Sequence, residues 1–258
     1  MPLKIAMIGA GSIGFTRRLM GDLLTVPEKS AADRRHLRRA RCGRPNPPRE
    51  YRYETTRMKR NFSGLTLKEA MQSVRQQELV SWKLQVPPLA PTEALLTHLN
   101  RLSVFDLTRS EAAKVLLIDA LVAEAVFLHP GLKVWKSEPL ESDTLVGVAD
   151  YLIAPKRAYV ETPLLCVVEA KRDDFEQGRV QCVAELAVCR WNNQQQKLDL
   201  DVYGIVSNGQ GWVFYKLTRE GAVFETGLFT TQDLPKLLGA LNHVCAECAK
   251  NIPRTTHP

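Results

Sequence analysis

From about residue 104 onward, helical stripes of apolar residues alternate with short unbroken apolar runs, a pattern that predicts an α/β fold. Ser110 can cap a helix running from Glu111 to about Leu128, with Val115, Ile118, Leu121, Val122 and Ala125 on one face. After Gly131, a first strand starts at Leu132 to Lys136. Leu145 to Ile153 is β-branched and aromatic and is closed by Ala154-Pro155, which predicts a second strand. Leu164 to Val168 is continuously apolar, as a strand buried on both faces would be. A helix over about 175–190 then leads to a strand over 201–206. Asn208-Gly209-Gln210-Gly211 turns the chain into a strand over 212–216, and a last helix covers about 234–249. The expected core is therefore helix, three strands, helix, strand around a mixed central sheet.

The chain ahead of residue 104 is organised differently. Residues 3–8 read as a strand, Gly9-Ala10-Gly11-Ser12-Ile13-Gly14 as a glycine turn, and the following residues as a helix through about Leu24. That spacing suits a backbone approaching a pyrophosphate at a helix N-terminus. Residues 4–28 resemble the nicotinamide-binding start of glycoside hydrolase family four. Such a site also needs a second strand ending in an acid, and residues 29–60 contain no apolar run; Asp33 has no strand before it. Residues 1–28 are thus expected to be an orphan Rossmann-like βα unit with no cofactor site. A fragment of an NAD-dependent glycosidase is the competing reading. Residues 29–65 read as a disordered basic linker, broken by Pro45, Pro47 and Pro48, with eleven Lys or Arg from Arg34 to Arg60. Residues 66–103 read as a helical connector: one helix over 66–81, then Pro87, Pro88 and Pro91, then another from about Thr92 to Arg101.

Charge changes this picture little. The 258 residues carry a net charge of +7, but residues 1–60 hold 15 Lys and Arg against 5 Asp and Glu, leaving 20 against 23 for the rest. Any phosphate contact in the second part must come from local basic groups: Lys156, Arg157, Lys171, Arg172, Arg179 and Arg190. No apolar stretch approaches the roughly 20 residues of a membrane span, and the glycine-interrupted start is unlike a signal peptide, so a cytoplasmic protein is expected. The six cysteines follow no disulfide framework; Cys245 and Cys248 have a zinc-like spacing without a second pair.

The candidate chemistry lies at the ends of two strands. In Glu169-Ala170-Lys171 the alternation of a strand sets Glu169 and Lys171 on one face and Ala170 on the other. Asp150 falls in the middle of the preceding strand, where an acid is costly unless it is paired or bound to a cation. Two explanations are open: a divalent metal shared with Glu169, or a buried Asp150 to Lys171 ion pair.

With Asp on the second strand and Glu-x-Lys on the third, residues 104–220 resemble the PD-(D/E)xK nuclease superfamily. The runs GVADYLIAP, LCVVEAKRDDFEQG, QCVAEL and SNGQGWVFYKL look like restriction-endonuclease-like proteins related to the nuclease region of type I restriction motor subunits. The resemblance implies a restriction-endonuclease-like core and Mg²⁺-dependent hydrolysis of phosphodiester bonds, in DNA rather than RNA, with Mn²⁺ as a possible substitute. It further implies that Asp150, Glu169 and the Ala170 carbonyl ligate the metal, and that Lys171 holds the attacking water and offsets phosphate charge. Glu124 is the implied acid of the first helix, with Asp119 as its competitor, and Gln181 is the implied glutamine of the helix after the third strand. The sequence departs from the superfamily pattern at Ala149, where a proline is nominal, and at Glu185, where many relatives with that glutamine carry tyrosine. A nuclease-like fold kept for nucleic-acid or protein binding, without turnover, is the alternative. Trp212 and Tyr215 are expected in the core, base stacking being their other reading.

Overall fold

Strand β4 (Leu145–Pro155) is the longest of the nine among the described residues and the organising element of the sheet. The computed structural model describes residues 58–252 except 108, 172 and 173. The expectations for residues 1–28, and for the linker up to residue 57, lie outside the described residues.

On one edge β4 pairs antiparallel with β3 (Leu132–Glu141), from Leu132↔Pro155 to Glu141↔Val146. On the other edge it pairs antiparallel with β5 (Cys166–Ala170) through Tyr151↔Val168, Leu152↔Val167 and Ile153↔Cys166. β5 runs parallel to β6 (Val202–Ser207), which pairs antiparallel with β7 (Gly211–Leu217). Beyond it stand β8 (Val223–Thr226) and, parallel to β8, β2 (Leu79–Trp82); β9 (Phe229–Thr230) caps one end of β7. The class is α/β with a mixed sheet, as the sequence pattern predicts.

Each face of the sheet carries its own core. Cys166, Val168 and Ala170 of β5 face the side covered by α2 (Glu93–Leu102), α3 (Glu111–Phe127) and α5 (Leu234–Lys250). Val167 faces the side covered by α1 (Leu67–Ser73) and α4 (Phe175–Gln195). This is the two-sided burial expected of a continuous apolar run. Ser110 caps α3 by accepting the Ala113 N–H at 3.1 Å, and Ile118, Leu121, Val122 and Ala125 are buried as the stripe predicts.

Residues 58–82 depart from the expected linker and connector, whereas the helix expected from about Thr92 to Arg101 forms as α2, capped by Thr92. β1 (Arg60–Asn61) adds to β4 in parallel, and Phe62 and Leu65 are buried in the α4-side core. Full burial of a phenylalanine is worth about 1.5–3 kcal/mol, enough to hold a short segment that its charge alone would leave in solvent. The helix expected over 66–81 stops at Ser73. Thr66 and Glu69 form a reciprocal capping box at its start, and Arg75, at φ 60°, turns the chain out of it. Residues 79–82 then join the sheet as β2 instead of continuing the helix.

Candidate functional site

The β4–β5 ladder ends at Tyr151↔Val168. One step further in the same antiparallel register, Asp150 stands opposite Glu169. The strands part at this level, and the Asp150 side chain takes over a main-chain role: its Oδ2 accepts the Ala170 N–H at 2.9 Å. On the far side of β4, Asp150 lies between the pairs Lys136↔Tyr151 and Glu138↔Ala149, opposite Ser137. Ser137 has φ 54°, a left-handed conformation that costs a non-glycine residue roughly 1–2 kcal/mol. Backbone strain thus sits directly across from the mid-strand acid.

Glu169 is 1% exposed and its Oε1 lies 2.6 Å from Lys171 Nζ, so both project from one face of β5 while Ala170 packs into the opposite core. Lys171 is the outer member, its side chain 19% exposed. The ion pair therefore forms between Glu169 and Lys171; Asp150 binds the main chain instead. Glu169 Oε2 is buried, and no group other than the Glu185 carboxyl is placed to hydrogen-bond it.

Helix α4 closes this group from one side. Gly178, Cys182, Glu185 and Cys189 recur at spacings of four, three and four and so share one helix face. A Cβ at Gly178 would fall 2.5 Å from Val206 Cγ1 and 3.0 Å from Lys171 Cγ; one at Gly204 would fall 2.4 Å from Cys182 Sγ. The missing side chains let the helix lie flush on β6. Gln181 sits at the margin of the buried face, half-exposed, on the first turns of α4.

The same face buries Glu185 completely, at 0% exposure, with its carboxyl against that of Glu169; no other group hydrogen-bonds it, and the two can bond each other only when one carries a proton. Burial pushes its carboxyl well above the usual range, and the Glu169 and Asp150 carboxylates push the same way. Glu169 is raised by burial first and Asp150 second, with Lys171 pulling it back down. In the sequence Glu185 stands out only as a departure from the superfamily pattern. What marks it without a structure is an acid on the otherwise small and apolar helix face of Gly178, Cys182 and Cys189.

Two candidate acids on α3 stand apart from this group. Glu124 Oε1 accepts the Thr92 N–H at 3.1 Å, satisfying the start of α2. Asp119 Oδ1 accepts from Tyr151 Oη and from Lys136 Nζ, both at 2.8 Å. Several of the local basic groups are also engaged: Arg179 with Glu225 and Glu176, Arg157 with Glu161, and Arg190 with the Arg219 carbonyl. Trp212 and Tyr215 are core residues, their polar atoms bound to the Gly209 carbonyl and to Glu225. Cys245 and Cys248 are buried free thiols.

Among the described residues no three His, Cys, Asp or Glu side chains are already set to hold a metal ion. The chemistry of the group nevertheless suits a divalent cation. Asp150 and Glu169 offer hard carboxylate oxygens, and their mutual repulsion is what such a cation relieves. Fold and site together define an α/β protein with a carboxylate and lysine cluster where two central strands part. No family model matches the chain, and no curated protein matches it.

Proposed function

We propose that the protein is a divalent-cation-dependent nuclease of restriction-endonuclease-like architecture, cleaving phosphodiester bonds in DNA. The observation that carries this reading is the Glu169 to Lys171 pair at 2.6 Å, next to an Asp150 carboxylate bound to the Ala170 N–H. A neutral core has no need of such a cluster, whereas phosphodiester hydrolysis needs each member of it.

Asp150, Glu169 and the Ala170 carbonyl would hold Mg²⁺ or Mn²⁺. When bound, the cation would lower the pKa of a coordinated water and neutralise phosphate charge. Lys171 is anchored at its inner side by Glu169 and open at its outer side, so its ammonium can orient a water and face a phosphate oxygen. Asp150 is fixed by the Ala170 N–H, which limits the reorganisation needed when charge develops nearby. In this reading Gln181, half-exposed on α4, would contact the scissile strand. Binding without turnover is the second reading, favoured by one observation: Lys171 already occupies one oxygen of Glu169.

The test is incubation with plasmid and with single-stranded DNA in Mg²⁺ or Mn²⁺, comparing the native protein with Asp150→Ala and Lys171→Ala. Cleavage by the native protein alone supports the proposal. Equal DNA loss in all three defeats it, and DNA retention without cleavage by any of them selects the binding reading.

A further inference from the structure

The outer side of α4 carries a cleft that the proposed reaction leaves unused. Ala187, Arg190, Trp191 and Gln194 fall at i, i+3, i+4 and i+7 and form one stripe of the helix, roughly opposite the face that lies on β6. With Arg75 just after α1 and Asp143 in the turn between β3 and β4, they line a cleft of about 430 Å³, a size that suits a small ligand. Trp82 and Trp135 pack against the two cores and Trp212 is buried in one of them; Trp191, half-buried, lines the cleft instead. An indole in a polar cleft is a stacking surface for another flat ring.

The polar groups around that indole are mixed rather than uniformly basic. Arg190 is anchored by donating to the Arg219 carbonyl at 2.7 Å, a contact that uses one of its five N–H groups. Arg75 is exposed and has φ 60°, which glycine adopts without strain, so arginine is a costly choice for this turn unless its side chain is used. The arginines donate, Asp143 accepts and the Gln194 amide does both. A phosphate alone would gain nothing from Asp143 or Trp191, and an apolar ligand nothing from the arginines. A nucleotide uses all of them, because its base has a flat face, ring acceptors and an amino group. We propose that the cleft binds an unpaired nucleotide of a single nucleic-acid strand: the base stacks on Trp191, Arg75 and Arg190 meet base or phosphate acceptors, and Asp143 meets an amino group. Bases inside a duplex are already stacked and paired, so the cleft selects single strands. The inference rests on the nuclease reading and narrows its substrate to nucleic acid with a single-stranded part. α4 rises about 14 Å from Gln181 to Arg190, so the cleft holds the strand apart from the cleavage site.

Binding of a short mixed-sequence DNA single strand to the full chain in chelator tests this without cleavage, read by anisotropy of a labelled strand and by tryptophan quenching with an unlabelled one. Trp191→Leu is expected to weaken binding by roughly 5- to 100-fold, the scale of one lost base stack, and to abolish the quenching. Arg75→Gly is expected to weaken it by roughly 10-fold while thermal stability stays equal or rises, a combination that a merely structural role for Arg75 would not give. A blunt duplex of the same sequence should leave the tryptophan signal unchanged. Circular dichroism checks that the variants fold, and Arg75→Gly carries the comparison where Trp191→Leu does not. Unchanged strand affinity in the folded variants, quenching that persists in Trp191→Leu, or equal quenching by the duplex overturns the cleft assignment; the nuclease proposal stands where cleavage still requires Asp150. No strand binding by the native protein overturns the cleft assignment as well, and together with no cleavage of plasmid or single-stranded DNA it overturns both.

Discussion

Asp150 Oδ2 holds the Ala170 N–H at 2.9 Å, at the level where the two strands stop exchanging main-chain hydrogen bonds. The acid therefore serves the fold as well as the metal-binding role proposed for it, and two substitutions separate the two. Asp150→Asn keeps an acceptor oxygen for Ala170, whereas Asp150→Ala orphans a partly buried N–H, at a cost of about 1–3 kcal/mol. Both variants are expected to lose cleavage by roughly 10²-fold or more, the scale of removing one electrostatic stabiliser. Only Asp150→Ala should also melt several degrees lower. Thermal melts beside plasmid cleavage check this, and equal melting of the two variants would show that the Ala170 contact does not stabilise the fold.

Gly178 gives a prediction with an inverted sign. Replacing a glycine inside a helix by alanine ordinarily stabilises by about 0.5–1 kcal/mol. Here the new Cβ would meet Val206 at 2.5 Å and the Lys171 stem at 3.0 Å. Gly178→Ala is expected to destabilise by about 1–3 kcal/mol, as overpacking does, and to reduce cleavage by displacing Lys171. Urea unfolding gives the sign directly; a stabilised variant would mean that α4 does not press on β6 as closely as the contacts indicate.

The sheet's centre was legible because β4, β5, β6 and β7 are predominantly apolar runs, most of them with Pro or Gly close to an end, as strands buried on both faces are. Asp150, Glu169 and Lys171 were legible for the same reason, since strand alternation alone sets Glu169 and Lys171 together and Ala170 opposite. The edges of the sheet were not. β2 is four residues, half of them exposed, and follows a helix whose stop depends on Arg75 adopting φ 60°, which no apolar pattern announces. β1 is two residues in a strongly basic stretch, fixed by the burial of Phe62 after it. Glu124 and Asp119 both lie on the right helix, but the contacts that claim them, Thr92 and Tyr151, are 32 residues away in sequence.

Stability should depend on pH through the two buried glutamates. Both are raised in the folded state, so over the window above the usual carboxylate value the folded chain holds more protons than the unfolded chain. Their contribution is then most favourable below about pH 4.3, the unfolded glutamate value, and is lost as pH rises toward the folded values. In chelator, unfolding free energy should fall from pH 5 to pH 8, by up to about 1.4 kcal/mol per pH unit for each proton held only by the folded state. Glu185→Gln removes one such group and should flatten the slope. Added Mn²⁺ should oppose the loss, because it binds the ionised carboxylates. Denaturation series at several pH values, with and without Mn²⁺, measure this, and an unaltered slope in Glu185→Gln would exclude Glu185 as its source.

Asn193 anchors the approach to the site from behind. Its Oδ1 accepts the Leu164 N–H at 2.7 Å and its Nδ2 donates to the Leu164 carbonyl at 2.8 Å, so one buried amide acts as a strand partner for the residue leading into β5. Asn193→Ala would orphan a buried N–H and a buried C=O together, and at about 1–3 kcal/mol for each such group a loss of at least 2 kcal/mol is expected. Asn193→Asp keeps the acceptor but places a charge against the Leu164 carbonyl, so it should be no better tolerated. β5 carries Glu169 at its far end, and a looser approach at Leu164 should therefore lower cleavage less than it lowers stability. Folded-state activity at low temperature, set beside urea unfolding, separates the two effects. Activity abolished in a variant that remains folded would mean that Asn193 controls the position of Glu169 as well as the stability of the strand.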